Sequence, residues 1–508
     1  MAQPAVTEST REPKPAEGRG EAPERYEPTH PVRIVSSAAL FDGHDAAINI
    51  MRRLMQATGA EVIHLGHNRS VEEIVDAAIQ EDAQGIAVTS YQGGHMEFFT
   101  YMRQMLDERG AEHVKIYGGG GGVIVPREID ELHSRGIDRI FSPEDGRELG
   151  LQGMIDEVVR GCDFDLTKTG TVEAPFGELA RQITLAELGK EVETVTGSSR
   201  RIPVVGLTGT GGAGKSSLTD ELVLRFVRDF EDRKVAVLCV DPSKRKSGGA
   251  LLGDRIRFNT AKHPRVFLRS LATRGARGEL SGALAQVLEV VKNQNVDLIF
   301  VETAGIGQAD SAVVDLTDLA LYVMTSEFGA PSQLEKIEML DFADVVVINK
   351  FTRRGSEDAL RDVRKQFQRN HDLFSIAPEE LPIFGTSAAH FNDRGVNALY
   401  AHLVNRLEET MELGWESGTS PGGERTTDPE QYVIPPARER YLSEIAKSCR
   451  EHKAWAREQS ELAAEIEALW RSIRILRGRG GEEDREDDPS WRPFGDEDLG
   501  EMEVPVAE

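Results

Sequence analysis

The sequence is poor in cysteine and contains no long apolar run. Its three cysteines, Cys162, Cys239 and Cys449, lie far apart, which excludes a disulfide framework and argues against a cysteine-based zinc site. No stretch of about 18 apolar residues occurs, so we expect no transmembrane helix. No apolar stretch follows the first charged residues, so we expect no secretory signal. These absences predict a cytoplasmic protein that does not enter a membrane.

Positive charge is also scarce. The chain has 60 basic and 86 acidic side chains, which gives a formal net charge of −26. Such a balance argues against a nucleic-acid partner, because phosphate backbones need a basic surface. Residues 482–508 alone hold about 12 acidic and 2 basic side chains. We expect residues 479–508 to form an acidic, disordered tail.

At 508 residues the chain is too long for one ordinary core, and changes in composition divide it further. Residues 1–30 carry hardly any large apolar side chain and are expected to be disordered. Residues 416–478 begin as a linker rich in Gly and Ser and continue into one or two long helices. These helices could contact a partner, mediate self-association as a homodimer, or serve only as a packing arm.

Residues 31–162 alternate short apolar runs with segments of helical apolar spacing. The runs are RIVSSAA, EVIHLG, GIAVTS, VKIYGG and RIFSP. This alternation predicts a five-stranded parallel sheet in flavodoxin-like order, with helices on both faces. Residues 163–201 are expected to be a helical linker.

A second alternating series covers residues 202–415. Its apolar runs are IPVVGLTG, KVAVLCVD, DLIFVE, LALYVMTS, DVVVINK and LPIFGTSA. The chain is therefore predicted to be an α/β protein with two tandem doubly wound parallel-sheet domains and a helical C-terminal extension.

The second series contains GTGGAGKS at residues 209–216, which matches the phosphate-binding pattern G-x-x-x-x-G-K-[ST]. An apolar strand precedes it and a helix follows. Glycines let backbone N–H groups surround a phosphate, and the helix N-terminus adds partial positive charge. Lys215 is expected to reach the β- and γ-phosphates, and the Ser216 hydroxyl to bind Mg²⁺. The predicted nucleotide-binding residues of this loop are Gly209, Gly211, Gly212, Ala213, Gly214, Lys215, Ser216 and Ser217.

Three carboxylates lie near the ends of strands in the same domain. Asp241 and Glu302 close apolar runs, and Asp254 follows in SGGALLGD. Carboxylates at strand C-termini beside a phosphate loop can hold Mg²⁺ directly or through water. Each alone could equally be a solvated loop acid. Together they predict a magnesium site.

Two further pairs resemble the base-recognition elements of GTPases. Asn349-Lys350 follows DVVVI, and Ser387-Ala388 follows LPIFGT. In GTPases N-K-x-D binds guanine, but the fourth residue here is Thr352. The missing carboxylate would accept hydrogen bonds from two guanine N–H groups, each worth roughly 1.5–3 kcal/mol. A threonine hydroxyl can replace at most part of them, which puts guanine selectivity in question.

VDPSKRKSGGALLGD and VETAGIGQAD are similar to segments of the G-protein chaperones that load and protect cobalamin-dependent acyl-CoA mutases. The resemblance covers about residues 165–475. It implies that Asp241, Asp254 and Glu302 organise Mg²⁺ and mobile switch regions, with a further switch around residues 326–336. The residues assigned to catalysis are Lys215, Glu302 and Gln308.

The first domain carries Asp42-Gly-His44 directly after its first strand. This strand end is a topological switch point, where ligands bind. A neutral imidazole can coordinate a metal while a carboxylate fixes its other nitrogen. A loop histidine without a ligand is the commoner case for such a short motif. Two other strand ends favour a ligand: five glycines follow VKIY, and Thr89-Ser90 closes GIAVTS.

This arrangement resembles the cobalamin-binding domain of acyl-CoA mutases, which carries D-x-H-x-x-G, S-x-L and G-G. The resemblance implies that His44 ligates cobalt and that Asp42 tunes it. The implied cofactor-binding residues are Asp42, His44, Thr89, Ser90, Gly121 and Gly122. The sequence departs from the family at Ala47, where the motif has Gly, and at Thr89 and Tyr91, where it has Ser and Leu.

The order of the two domains is similar to that of fused isobutyryl-CoA mutases. The resemblance implies a cobalamin-binding chaperone GTPase that uses adenosylcobalamin, Mg²⁺ and GTP. Such fusions continue into a large barrel, so we expect another chain to supply the mutase barrel. The alternatives are a metal-delivery NTPase and a non-catalytic regulatory binding module.

Overall fold

The computed structural model describes residues 25–192, 201–244, 246–274, 279–303, 314–419, 425–427 and 441–476. The chain divides between residues 429 and 430 into two compact units, and each is described by itself. The first unit holds both α/β domains, and the part of the second that the structure describes, residues 441–476, is a long helix. The expectation of two doubly wound domains is confirmed.

The first sheet is parallel and has its strands in the order β5-β4-β3-β1-β2. These strands are β1 (Arg33–Ala38), β2 (Glu61–His64), β3 (Gly85–Thr89), β4 (Lys115–Gly119) and β5 (Arg139–Phe141). The helices are α1 (Asp45–Ala57), α2 (Val71–Gln80), α3 (His95–Glu108), α4 (Pro126–Ser134), α5 (Pro143–Glu148) and α6 (Gly150–Cys162). Apolar clusters form on both faces of this sheet, as parallel strands buried on two sides require.

The second sheet is also parallel. Its strands are β6 (Val204–Gly209), β7 (Val235–Asp241), β9 (Val266–Ala272), β10 (Leu298–Thr303), β11 (Leu319–Met324), β12 (Val345–Asn349) and β13 (Ile383–Thr386). A short strand, β8 (Ala250–Leu252), lies between β7 and β9 in the chain. The helices are α7 (Gly177–Glu187), α8 (Lys215–Asp229), α9 (Glu279–Lys292), α10 (Pro331–Leu334), α11 (Ser356–Asn370) and α12 (Arg394–Met411). The strand order β13-β12-β11-β6-β10-β7-β9 places β6 at the centre.

Strand β9 is a seventh strand that the apolar runs did not reveal. Its sequence, VFLRSLA, is interrupted by Arg269, whose side chain is fully buried. The guanidinium donates to Glu187 Oε2 at 2.8 Å and to Thr184 Oγ1 at 2.9 Å, both on α7. A charge can be buried in this edge strand because a carboxylate from another element pairs with it.

Strand β8 belongs to the sheet of the first domain. It runs parallel to β2, with Glu61 opposite Ala250 and Ile63 opposite Leu252. The first sheet therefore has six strands rather than the five predicted, and the sixth comes from the second domain. Three residues are too few to show a strand pattern, so this pairing could not be predicted from the sequence.

The two domains also share buried charges. Glu81, at the end of α2, is fully buried and accepts hydrogen bonds from Ser270 N and Oγ at 3.1 and 3.0 Å. Arg255 of the second domain lies 3.3 Å from one oxygen of this carboxylate, and Arg33 of the first domain lies 3.4 Å from the other. The carboxylate is thus compensated from both domains.

A second buried carboxylate, Glu61, forms ion pairs with Arg33 at 2.7 Å and with Arg274 at 2.8 Å. Burial opposes its ionisation, but the two guanidinium groups outweigh this and lower its pKa to about 2. Since the pKa of Glu61 in the folded protein lies below the ordinary value of 4.5, its ion pairs stabilise the folded state. That stabilisation is complete above pH 4.5 and is lost as the pH falls through about 2.

Helix α7 lies in the segment expected to be a linker. Its residues Leu179 and Ile183 are buried in one apolar cluster with Phe267 of β9 and Leu238 of β7. The helix is therefore part of the second domain's core rather than a connection between cores.

Within the second unit, the described residues form helix α13 (Tyr441–Leu476). Its exposed apolar side chains recur at spacings of three and four in the C-terminal half, at Leu462, Ile466, Leu469, Ile473 and Leu476. Among the described residues, no helix is both long and apolar enough to cross a membrane.

We predict that Glu81→Gln destabilises the first unit by about 3 kcal/mol, because it leaves buried guanidinium groups without their carboxylate. Urea unfolding followed by circular dichroism measures the change. Glu327→Gln is the matched control: Glu327 pairs with Arg353 at the surface, and its loss should change stability by less than about 1 kcal/mol. Equal effects of the two substitutions would show that the buried carboxylate does not join the domains.

Candidate functional site

The first candidate site lies at the carboxyl end of β1. Asp42 is buried, and its Oδ1 accepts hydrogen bonds from His44 N and His44 Nδ1, both at 2.9 Å. Its Oδ2 accepts the N–H of Tyr91 at 2.7 Å. Burial opposes ionisation, but these hydrogen bonds outweigh it and hold the pKa of Asp42 below its ordinary value.

This pairing fixes the orientation of His44. Because Nδ1 faces Asp42, Nε2 is the ring nitrogen left for an external ligand. The imidazole side chain is 76% exposed, and its ring lies 5.6 Å from that of Tyr91. Asp42 and His44 therefore form the carboxylate–histidine pair that the sequence predicted, with the imidazole directed outward.

Beside this pair is a cavity of about 270 Å³ at the carboxyl end of the first sheet. It is lined mainly by apolar side chains of α1 and α6 and by the glycine run, including Ala47, Met51, Met154, Val158, Gly120 and Gly121. Thr89 lines it as well. Thr89 Oγ1 and Ser90 Oγ are buried and have no hydrogen-bond partner in the described part of the chain. A largely apolar slot with one unsatisfied hydroxyl group, that of Thr89, fits the polar and aromatic tail of a corrinoid.

The glycine run also shapes this slot by allowing neighbouring groups to pack closely against its backbone. A Cβ on Gly120 would lie 1.9 Å from Ser90 O, and one on Gly118 would lie 2.5 Å from the Phe99 ring. Gly121 lines the cavity with a φ of +56°, whereas Gly122 is not among the lining residues. Close packing thus requires Gly118 and Gly120, two positions that the sequence did not single out.

The loops that wall the slot are tied together by His95. Its Nε2 lies 2.9 Å from Glu128 Oε2, and the same carboxylate oxygen accepts the N–H of Val125 at 3.1 Å. Gln92 O lies 3.2 Å from His95 Nδ1. The sequence prediction missed this pair because its two members are 33 residues apart and no short motif joins them.

The second candidate site is the phosphate loop between β6 and α8. Gly209, Gly212 and Gly214 have φ values of +143°, +75° and +91°, which side chains disfavour. A Cβ on Gly209 would also lie 1.8 Å from Val323 O. The loop therefore requires glycine, and its shape places backbone N–H groups at the N-terminus of α8, where an anion binds.

Lys215 and Ser216 begin α8. Lys215 Nζ donates to Gly209 O at 3.0 Å and to Thr210 O at 3.3 Å, so the ammonium lies over the loop. Ser216 Oγ donates to Glu302 Oε1 at 2.7 Å, and Thr219 Oγ1 donates to Glu302 Oε2 at 3.2 Å. The structure thus brings together Lys215, Ser216 and Glu302. A hydroxyl beside a carboxylate supplies the oxygen ligands that Mg²⁺ prefers.

The structure describes the other residues predicted for this site in less detail than Glu302. Asp241 ends β7, whose residues Cys239 and Val240 pair with Glu302 and Thr303 of β10, so it lies at the same sheet edge. For Asp254 only the backbone is described, and Gln308 lies outside the described residues. No three His, Cys, Asp or Glu side chains in the described ranges gather as a metal-binding group.

The base-recognition pairs meet beside the phosphate loop. Asn349 Nδ2 donates to Ala213 O at 2.8 Å, and its Oδ1 accepts from Ala388 N at 3.2 Å. Lys350 Nζ donates to Gly212 O at 2.6 Å. Ser387 Oγ is buried without a hydrogen-bond partner in the described part of the chain.

The remaining predicted position, Thr352, lies exposed in the turn after β12. Its neighbour Phe351 is buried against Gly385 of β13. This packing fixes the turn next to the base-recognition pairs.

The fold and the two sites define a class: a corrinoid-binding α/β domain joined to a P-loop nucleotide-binding domain. A family profile described as "B12 binding domain" matches residues 32–148. A second, described as "Methylmalonyl Co-A mutase-associated GTPase MeaB", matches residues 178–426.

Individual relatives agree with this division. A fused isobutyryl-CoA mutase of Geobacillus kaustophilus is 54% identical over 478 residues, which cover 90% of this chain and 44% of the relative. The corresponding protein of Cupriavidus metallidurans is 53% identical, with 90% and 43% covered. A protein of Pyrococcus horikoshii named as a GTPase is 38% identical, with 46% of this chain and 76% of the relative covered.

The GTPase domain of this chain belongs to the MeaB family described by that profile, and the chain is a homologue of the fused isobutyryl-CoA mutases. It corresponds to the portion of those fusions that carries the B12-binding domain and the GTPase. It spans less than half the length of the fused relatives that it matches.

Proposed function

We propose that this chain binds adenosylcobalamin on its first domain and hydrolyses GTP with Mg²⁺ on its second, and that hydrolysis serves the loading or protection of the cofactor for an acyl-CoA mutase. The observation that carries the proposal is that each of the two sheets has a candidate ligand site at its carboxyl edge. Asp42 and His44 lie at the carboxyl edge of one sheet, and Lys215, Ser216 and Glu302 lie at that of the other.

On the first domain, His44 Nε2 would hold cobalt while Asp42 keeps the imidazole in the required tautomer. Thr89 Oγ1, which lines the slot, and Ser90 Oγ, next to it in the chain, would donate hydrogen bonds to the cofactor's tail, with Gly121 beside it. When bound, adenosylcobalamin supplies a cobalt–carbon bond that breaks homolytically. The apolar walls of the slot exclude water from the tail.

On the second domain, the loop N–H groups and Lys215 would bind and orient the β- and γ-phosphates. Ser216 and Glu302, assisted by Asp241 and Asp254, would hold Mg²⁺, and Gln308 would orient the attacking water. Asn349, Lys350, Ser387 and Ala388 would hold the base. Catalysis here is positioning and charge stabilisation, because the protein forms no covalent bond to phosphate.

The mutase reaction itself would need a barrel domain, which we propose is supplied by another chain. Self-association as a homodimer and partner contact through α13 are consistent with the exposed apolar side chains of that helix. We place the protein in the cytoplasm.

We predict that adding adenosylcobalamin shifts its absorption from the tail-coordinated to the histidine-coordinated form, and that His44→Ala abolishes this shift. Asp42→Asn should weaken cofactor binding about 10–100-fold, because it removes the charge that orients the imidazole. His67→Ala, at an exposed histidine of a neighbouring loop, is the matched control and should behave as wild type. An unaltered spectrum with wild-type protein would refute cobalamin binding.

Lys215→Ala should reduce triphosphate hydrolysis at least about 100-fold, since it removes the ammonium that stabilises charge on the transferred phosphoryl group. Release of inorganic phosphate measures this rate. Lys365→Ala, at an exposed lysine of α11, should leave it unchanged. Hydrolysis that persists in Lys215→Ala would mean that the phosphate loop is not the catalytic site.

Base selectivity is expected to be limited by Thr352. Wild-type protein should hydrolyse GTP and ITP with kcat/KM values within about tenfold, because no carboxylate at residue 352 reads the 2-amino group of guanine. Thr352→Asp should raise the preference for GTP over ITP about tenfold or more, whereas the neutral Thr352→Asn should not. A wild-type preference for GTP above about 100-fold would contradict this assignment.

A further inference from the structure

The strand that the second domain contributes to the first sheet lies in a segment that joins the two candidate sites. We name residues 246–253 the crossing segment; they include β8 and begin five residues after Asp241. The crossing segment leaves the nucleotide-binding edge of one sheet and ends in the other sheet within that short length. It therefore links the nucleotide-binding edge of the second sheet to the first sheet through one short stretch of chain.

Its contacts with the first domain are close and specific. Ala250 N donates to Ala60 O at 3.2 Å, and β8 continues this pairing along β2. Ser247 Oγ donates to Gln56 O at 3.0 Å. Both acceptors lie at or just after the C-terminal end of α1, so the crossing segment holds the end of that helix as well as the strand beside it.

Gly249 makes the closest approach. A Cβ at this position would lie 2.2 Å from Gln56 O and 2.8 Å from Ala60 O, and both obstacles are backbone atoms. Only glycine fits without a displacement of α1 or of the crossing segment. Gly253, four residues later, has open space around its position, and its φ lies outside the left-handed region.

Helix α1 carries these contacts to the cofactor site. It begins at Asp45, directly after His44, and its residues Ala47, Met51 and Met55 line the slot. A 13-residue helix spans about 20 Å and moves as a rigid body. A shift at its C-terminal end therefore changes the slot and the position of the imidazole.

The other end of the route is the nucleotide site. Asp241 closes β7 beside β10, where Glu302 holds the Ser216 hydroxyl. A metal ion and a γ-phosphate held there by Ser216 and Glu302 would lie next to the strand end from which the crossing segment departs.

We propose that the crossing segment transmits the nucleotide state to the cobalamin slot through α1 and β2. This inference rests on the proposed function and adds its regulation. The triphosphate changes the position of the crossing segment, and α1 follows because Ser247, Gly249 and Ala250 contact its last turn and the start of β2. The buried carboxylates Glu61 and Glu81 keep the two domains in register while this happens.

Thermodynamic reciprocity gives the test. The Kd of the full chain for adenosylcobalamin is measured with and without a non-hydrolysable GTP analogue, and the Kd for the analogue is measured with and without adenosylcobalamin. Each ligand should change the affinity of the other by the same factor, about fivefold or more. Gly249→Ala should reduce this factor to below about twofold, and Gly253→Ala should retain it. Both variants should keep the wild-type rate of hydrolysis.

A second variant and a direct observation cover the case in which Gly249→Ala does not fold. Ser247→Ala removes one hydrogen bond and should lower the coupling factor without loss of structure. In the wild type, the GTP analogue should change hydrogen exchange at the Ala250 amide, which is bonded to Ala60 O. Unchanged exchange there would overturn the proposal.

The outcomes separate this inference from the proposed function. If both ligands bind but neither alters the affinity of the other, the inference fails and the proposed function stands. If coupling is present and Gly249→Ala and Ser247→Ala leave it intact, another route carries it and the inference fails. If adenosylcobalamin does not bind at all, the proposed function fails, and the inference fails with it.

Discussion

The arrangement of the two α/β domains depends on carboxylates that neither domain could bury alone. Glu81 is fully enclosed, and its hydrogen bonds come from Ser270 and Arg255 of the second domain as well as from Arg33 of the first. Any other docking of the two domains would bury these charges without their partners, which costs several kcal/mol per ion. The interface therefore fixes one relative position of the two sheets, whatever its net contribution to stability.

The local features of both sites could be predicted from the sequence, because each lies within a few residues of a strand end. The phosphate loop needs only its glycines and one lysine, and Asp42 and His44 are two residues apart. The features that could not be predicted are pairings between distant residues. Strand β8 is three residues long, and β9 contains a buried arginine whose partner Glu187 lies 82 residues away. The spacing of apolar residues within one segment contains no information about partners that lie far away in the chain.

The glycine run shows the same limit at the scale of single residues. Its position after β4 indicates a slot, but which glycine the slot requires depends on what packs against it. Gly120 meets the backbone of Ser90 and Gly118 meets the ring of Phe99, whereas Gly122 meets nothing within 4 Å. Resemblance to a family motif predicts that Gly121 and Gly122 flank the cofactor's tail. The packing adds a separate steric requirement for glycine at Gly118 and Gly120.

The nucleotide site also shows how binding and rearrangement are linked. Ser216 and Thr219 both donate to Glu302, so a metal ion that takes the serine oxygen and this carboxylate as ligands must replace at least one hydrogen bond. Lys215 likewise exchanges loop carbonyls for phosphate oxygens. The first exchange alters Glu302 on β10, next to the strand from which the chain crosses to the cobalamin domain, and the second alters the end of β6, which also pairs with β10. Because the first exchange needs the metal ion and the second needs the phosphates, both parts of the ligand act on neighbouring strand ends.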